Sequence, residues 1–206
     1  MEKLTVVEGV AAPILRINID TDQITPGKEL VRMRTEGAAA SLFAYWRYIG
    51  DREPNPDFIL NREPWTKAQI LLADRNFGCG SSRESAPQAL RAWGFRAVIA
   101  PSFGGIFYNN CFRNGLLPIE MPIEAIRAIA TQVEAAQGNA KVTVNLEDET
   151  VTAPDGSKTS FKTPSVLREM LLLGADEIDV TLRRGGEIEA FRARDRIKRP
   201  WAYRAA

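Results

Sequence analysis

Short apolar runs alternate with helical patterns through the middle of the chain. Residues 69–73 and 97–100 are apolar runs with the length of buried strands. The segment between them has a helical pattern from about Ser85 to Trp93, and Gly94 ends it. A strand, a loop, a helix and a strand in this order form a βαβ unit with a right-handed crossover. The same pattern continues with a helix, a strand and a helix over residues 106–114, 116–120 and 123–136.

The flanking regions have weaker patterns. Residues 6–19 are apolar and rich in β-forming residues, and a polar loop follows over residues 18–27. Residues 37–48 are rich in alanine and aromatic residues, which predicts a helix. Residues 51–64 contain three prolines and predict a long irregular connection.

After residue 138 the pattern changes to alternating apolar and polar positions. Residues 142–146 alternate and are expected to pair with residues 149–153 as an antiparallel hairpin. A helix over residues 166–174 and a last strand over residues 178–182 complete the prediction. The sequence therefore predicts an α/β fold in one domain, residues 1–206.

Composition removes several classes of chemistry. The chain has 206 residues, no histidine and two cysteines, Cys79 and Cys111. Without histidine there is no Ser-His-Asp triad, and two cysteines cannot supply the four thiolates of a typical iron–sulfur cluster or structural zinc site. The net charge of +1 gives no argument for a nucleic-acid partner.

Targeting signals are not visible either. Residues 1–10 contain three charged side chains and no long apolar core, so they do not resemble a signal peptide. No apolar run has the length that spans a bilayer. We expect a cytoplasmic protein that does not bind a membrane, with both cysteines as reduced thiols.

The densest candidate chemistry lies in residues 74–87. Gly78 and Gly80 run into Ser81, Ser82 and Arg83, directly after a predicted strand. One interpretation is a helix cap, because Ser81 precedes a glutamate by three residues, as in a capping box. The other is an anion site, because a loop that enters a helix offers free N–H groups and arginine offers a fork for a carboxylate. The residues alone leave both open.

A family resemblance favours the second interpretation. The segment Asn76-Phe-Gly-Cys-Gly-Ser-Ser-Arg-Glu84, followed by Ala97-Val-Ile-Ala-Pro-Ser-Phe103 and Asn114-Gly-Leu-Leu-Pro118, resembles the swivel domain of the aconitase superfamily. Asn18-Ile-Asp-Thr-Asp-Gln-Ile24 and Pro54-Asn-Pro-Asp-Phe58 are similar to the small subunits of bacterial isopropylmalate isomerases. The resemblance covers roughly residues 5–200. It implies a three-layer β/β/α swivelling domain with a largely parallel sheet and an antiparallel hairpin.

The resemblance also implies roles for single residues. Ser81 matches the catalytic base of the superfamily, and Asp22 matches the aspartate that supports the site. Ser82 and Arg83 match residues that bind a substrate carboxylate, and Arg34 stands near the place of a further substrate arginine. No metal ligand is implied on this chain. A large subunit would hold a [4Fe-4S] cluster, and the substrate would be a small di-acid that is dehydrated and rehydrated.

One position departs from the family pattern and keeps alternatives open. The family usually has histidine after Ser-Arg-Glu, and this chain has Ser85. Residues 26–34 also depart from the common pattern and are expected to contribute to substrate selection. A related hydro-lyase acting on citraconate, methylmalate or dimethylmalate therefore stays an alternative, as does a di-acid-binding module without catalysis.

Overall fold

Strands and helices alternate through most of the chain. The computed structural model describes residues 1–203. The strands in this range are β1 (Val6–Ile14), β2 (Tyr48–Ile49), β3 (Glu53–Pro54), β4 (Ile70–Ala73), β5 (Ala97–Ala100), β6 (Leu117–Glu120), β7 (Lys141–Asn145), β8 (Thr150–Thr152) and β9 (Lys158–Ser160). The α-helices are α1 (Thr21–Ile24), α2 (Leu30–Thr35), α3 (Ala44–Arg47), α4 (Ser85–Trp93), α5 (Gly105–Arg113), α6 (Ile123–Ala135), α7 (Ser165–Leu173), α8 (Glu177–Leu182) and α9 (Gly185–Lys198). Short 3₁₀ helices lie at Gly27–Glu29, Ala38–Ser41, Ile59–Asn61, Trp65–Lys67 and Pro200–Ala202.

Seven of these strands form one mixed sheet. Its strand order is β6-β5-β4-β1-β7-β8-β9, and β2 pairs with β3 in a separate two-stranded sheet. Strands β1, β4, β5 and β6 run parallel to one another. The other edge of β1 pairs with β7 in the antiparallel sense, and β8 and β9 continue this antiparallel part. The mixed α/β class is confirmed, and the predicted hairpin has a third strand, β9.

The parallel strands are buried on both faces, as their continuous apolar sequences predict. Because side chains alternate along a strand, Leu71 and Ala73 of β4 pack in one core with Leu90 of α4. Ile70 and Leu72 face the opposite core, which Ile126, Ile129 and Val133 of α6 complete. The carboxyl ends of β1 and β4 consequently lie between two packed helical layers, and the loops that leave them share one edge of the sheet.

Two predicted elements are wrong. Residues 178–182 form part of helix α8, which begins after the capping residue Asp176, and not a strand. Its apolar alternation is misleading, because Val180 is buried whereas Ile178 and Leu182 are 68% and 70% exposed. The predicted helix over residues 37–48 is split into Ala38–Ser41 and Ala44–Arg47, because Phe43 has a left-handed backbone with φ +47°.

The first predicted strand is shorter than expected. Strand β1 ends at Ile14, and the loop predicted over residues 18–27 contains the four-residue helix α1. Within residues 1–203, no helix is long and apolar enough to cross a membrane. The assignment of residues 1–206 to one domain stays a prediction, and residues 204–206 lie outside the described range.

Candidate functional site

The Gly-Cys-Gly-Ser-Ser-Arg segment lies in the loop from β4 to α4, and the chain that follows β1 supports one side of it. The Gly78 N–H donates to the Ile19 carbonyl at 2.7 Å. The Thr21 N–H donates to the Cys79 carbonyl at 3.0 Å, and the Thr21 hydroxyl donates to the Ser81 carbonyl at 2.7 Å. These bonds continue the parallel β1–β4 pairing beyond the sheet and fix the backbone just before the serines.

The chain that follows β5 supports the other side of the loop. The Phe77 N–H donates to the Ser102 carbonyl at 3.0 Å, and the Gly104 N–H donates to the Phe77 carbonyl at 2.9 Å. The ring of Phe77 packs edge-on against Phe107 of α5, with 5.4 Å between the ring centroids. The loop is therefore held between two backbone segments and over an aromatic core.

Glycine is required at two positions of this arrangement. Gly78 has φ +70°, and a Cβ atom there would lie 2.2 Å from the Phe107 ring. A Cβ atom on Gly104 would lie 2.4 Å from the Gly78 carbonyl oxygen. Because both contacts are shorter than van der Waals distance, the loop and the start of α5 approach as closely as they do only without these side chains.

A cavity of about 110 Å³ lies between the loop and the start of α5. Its walls are formed by Thr21, Gly78, Gly80, Ser81, Ser82, Arg83, Gly104, Gly105, Ile106 and Phe107. Ser81 and Ser82 are exposed. Helix α4 begins only at Ser85 and has no side-chain capping bond at Glu84, so the capping-box interpretation of Ser81 is wrong.

In the described part of the chain, the loop before α4 and the start of α5 both have backbone N–H groups without a side-chain or backbone cap. In residues 1–203, the N–H groups of Gly80 to Glu84 donate no hydrogen bond. The first turn of α5 also lacks a side-chain cap at Gly104. Uncapped N–H groups at a helix start attract negative charge. The cavity thus combines hydroxyl groups with an environment that favours an anion.

Arg83 reaches from the loop to Asp22 of α1, which is 61 positions away in the sequence. Its Nη1 and Nη2 atoms donate to Asp22 Oδ1 at 2.7 Å and to Asp22 Oδ2 at 2.8 Å. The Arg83 Nη1 also donates to the Thr25 carbonyl at 3.3 Å, and the Gly27 N–H donates to Asp22 Oδ1 at 3.2 Å. Within residues 1–203 the Nε edge of the guanidinium has no acceptor, so it can bind a further carboxylate.

A capping box places Asp22 where it meets Arg83. Asp20 accepts the Gln23 N–H at 2.7 Å, and the Gln23 side chain accepts the Asp20 N–H at 3.1 Å. Asp20 thus caps α1, while Asp22 pairs with Arg83. The structure brings together Asp22, Ser81, Ser82 and Arg83. Arg34 is exposed on α2 and does not line the cavity, so its role stays a prediction.

The cysteines provide little nucleophile or metal-ligand character. Burial and the nearby Asp20 carboxylate raise the pKa of the Cys79 thiol, and complete burial raises the pKa of Cys111 well above its usual value. Within the described residues, no three His, Cys, Asp or Glu side chains are grouped as metal ligands. This donor set does not fit an iron–sulfur cluster on this chain.

Comparison with known proteins shows the family to which this chain belongs. Residues 1–124 match the family described as the aconitase C-terminal domain, and residues 128–163 match the LeuD family. A 3-isopropylmalate dehydratase small subunit from Cupriavidus necator is 50% identical over 205 residues, covering 98% of this chain and 99% of that protein. The chain belongs to the 3-isopropylmalate dehydratase small-subunit family. Another member, from Dinoroseobacter shibae, is 47% identical over 202 residues, with 98% and 100% of the two chains covered.

A solved structure supports the same family. The LeuD protein of Methanocaldococcus jannaschii, titled 3-isopropylmalate dehydratase, superposes with a TM-score of 0.61 at 26% identity. The match covers 90% of this chain and 98% of that one. All the site residues expected for a 3-isopropylmalate dehydratase small subunit lie in residues 1–124, the part that matches the broader aconitase family.

Sequence reasoning missed some members of the site. Thr21 supports the loop with its backbone and its hydroxyl group, and Gly105 and Ile106 line the cavity from α5. The Thr-Asp pair was a signal for Thr21, because it lies beside Asp22 in the quoted motif. Nothing in the local pattern of Gly105 and Ile106 separates them from an ordinary helix start.

Proposed function

We propose that this chain is the small subunit of a heteromeric hydro-lyase that isomerises 2-isopropylmalate to 3-isopropylmalate in leucine biosynthesis. The observation that carries the proposal is the cavity in which Ser81, Ser82 and Arg83 meet the start of α5. Family membership supports the reaction class, because the relatives are named 3-isopropylmalate dehydratase small subunit. These names do not favour the citraconate or dimethylmalate alternatives or the binding module.

Ser81 is the base in this proposal. Its Oγ atom, ionised to the alkoxide, takes the proton from the carbon next to a substrate carboxylate and becomes a hydroxyl group, and the C–H electron pair forms the double bond as hydroxide leaves the neighbouring carbon. Water then adds to the double bond in the opposite sense and gives the isomer. A serine hydroxyl is a weak base, so the reaction needs an environment that stabilises the alkoxide. The uncapped N–H groups and Arg83 are suited to this.

Arg83 and Ser82 orient the substrate. The Nε edge of Arg83 binds one carboxylate, and the Ser82 hydroxyl donates to it. Asp22 holds the opposite edge of the guanidinium through two hydrogen bonds, so that the free edge keeps one direction. Arg34 is retained as a candidate for a second carboxylate contact.

The remaining parts of the site belong to a large subunit. That subunit would hold a [4Fe-4S] cluster, which supplies the Lewis acid for the departing hydroxyl group. The two subunits form a heterodimer or heterotetramer in the cytoplasm, without nucleic acid or membrane partners. In this proposal the purified small subunit alone is colourless and inactive, and iron–sulfur absorbance from it would contradict the division of the site between two chains.

A Ser81→Ala variant tests the assignment of the base. We expect kcat of the reconstituted enzyme to fall by several orders of magnitude while KM for 2-isopropylmalate changes by less than about threefold, because the carboxylate contacts remain. The matched control is Ser160→Ala, which removes an exposed hydroxyl from β9. Near-normal turnover by Ser81→Ala would exclude Ser81 as the base.

A further inference from the structure

The start of α5 forms the wall of the cavity that faces the serines. Gly105 and Ile106 occupy its first two positions and both line the cavity beside Ser81, Ser82 and Arg83. One wall therefore carries hydroxyl groups and a cation, whereas the other carries no polar side chain. A substrate with carboxylates at one end and a branched alkyl group at the other has the same division.

Gly105 differs from the other glycines of the cavity because nothing in the backbone requires it. Gly78 and Gly80 have φ +70° and +89°, and Gly104 has no room for a Cβ atom. Gly105 has no positive φ, and a Cβ atom there would meet no other group of residues 1–203 within 4 Å. Neither strain nor packing explains glycine at this position. Its effect is to leave open space next to the reacting groups.

Ile106 supplies an apolar surface beside this space. It is 56% exposed, whereas the neighbouring Phe107 is 3% exposed and belongs to the core below the loop. An exposed branched side chain at the edge of a polar cavity gains stability when an apolar group covers it. An alkyl substituent on the substrate is such a group.

We propose that Gly105 and Ile106 form the subsite for the alkyl substituent of the substrate. Gly105 leaves the volume that a branched substituent needs, and Ile106 makes van der Waals contact with it. The inference rests on the proposed function, since it concerns substrate selection in the same cavity. It locates part of that selection on α5, in addition to residues 26–34.

The test measures the ratio of kcat/KM for 2-isopropylmalate to kcat/KM for 2-methylmalate, with both substrates competing in one reconstituted sample. This ratio does not depend on how much active complex assembles. We expect Gly105→Val to lower it at least tenfold, because the added side chain occupies the volume of the larger substituent. Gly185→Val is the matched control, since Gly185 also begins a helix and has open space around it. The control should leave the ratio unchanged.

Ile106→Ala is a second variant, which removes contact without adding volume. Loss of the apolar wall should lower the same ratio by about tenfold, the order expected for a few methylene contacts. An unchanged ratio in both α5 variants, or an equal loss on both substrates, would overturn the subsite. A wild-type complex that converts neither substrate would instead reject the proposed function.

Discussion

Replacing Gly78 with alanine tests whether close packing against α5 holds the loop that carries Ser81. The Gly78 backbone has φ +70°, where a residue with Cβ costs about 1–2 kcal/mol. The added Cβ would also lie 2.2 Å from the Phe107 ring, and overpacking a core typically costs about 1–3 kcal/mol. Together these effects predict a loss of about 2–5 kcal/mol in the free energy of unfolding.

Two further glycines separate these contributions. Gly156 has φ +85°, and no group in the described residues lies within 4 Å of a Cβ atom built there, so Gly156→Ala measures the backbone effect alone. Gly104 has no positive φ, but its Cβ would lie 2.4 Å from the Gly78 carbonyl, so Gly104→Ala measures the steric effect alone. Gly78→Ala should destabilise the chain more than Gly156→Ala or Gly104→Ala does.

Thermal unfolding of the isolated chain is the assay. For a chain of this size each kcal/mol lowers Tm by roughly 2–4 °C, so Gly78→Ala should lower Tm by roughly 4–20 °C and Gly156→Ala by roughly 2–8 °C. If Gly78→Ala and Gly156→Ala lower Tm equally, the Phe107 contact does not constrain the loop. If Gly104→Ala has no effect, the close approach of α5 is not required.

Two more predictions concern ion pairs. Asp22→Asn should raise KM for 2-isopropylmalate and lower kcat/KM by roughly 10- to 100-fold, because Asp22 fixes the direction of the Arg83 guanidinium. The free energy of unfolding should change by less than about 1 kcal/mol, because the ion pair is partly exposed. Equal kinetics for Asp22→Asn and the surface control Glu8→Gln would contradict this prediction. The Lys162 side chain, and then the Thr163 N–H, lower the pKa of Glu149, so its contribution to stability is complete above the usual glutamate pKa of 4.5 and is lost as pH falls through the lowered value. Glu149→Gln should therefore reduce the amount by which the free energy of unfolding, measured with urea, falls between neutral and acidic pH. A pH dependence equal to that of the unchanged protein would contradict the assignment.

The parallel part of the fold was predictable because its strands are buried on both faces. A short, continuous apolar run such as residues 69–73 fits a strand that is buried on both faces. Gly94 ends the next helix by adopting φ +125°. The error at residues 178–182 has the opposite cause. An alternation of apolar residues predicts a half-buried strand, but here two of the three apolar side chains are exposed, and the capping box of Asp176 and Asp179 starts a helix instead.

The site was predictable only in part from the residues themselves. The loop chemistry of Ser81, Ser82 and Arg83 is local, so a single segment indicates it. The pairing of Arg83 with Asp22 joins positions 61 apart, and it depends on β1 and β4 being neighbours in the sheet. Family resemblance suggested a role for Asp22, but no local pattern specifies which group it contacts.

The antiparallel strands have a consequence for how the chain avoids aggregation. Without β7 to β9, residues 6–10 of strand β1 would expose an edge of unpaired N–H and carbonyl groups. The sheet instead ends at β9, a strand of three residues with an exposed lysine, Lys158. At the other end β6 carries Pro118, which has no N–H to offer a further strand. Both sheet ends thus discourage the addition of a strand from another chain.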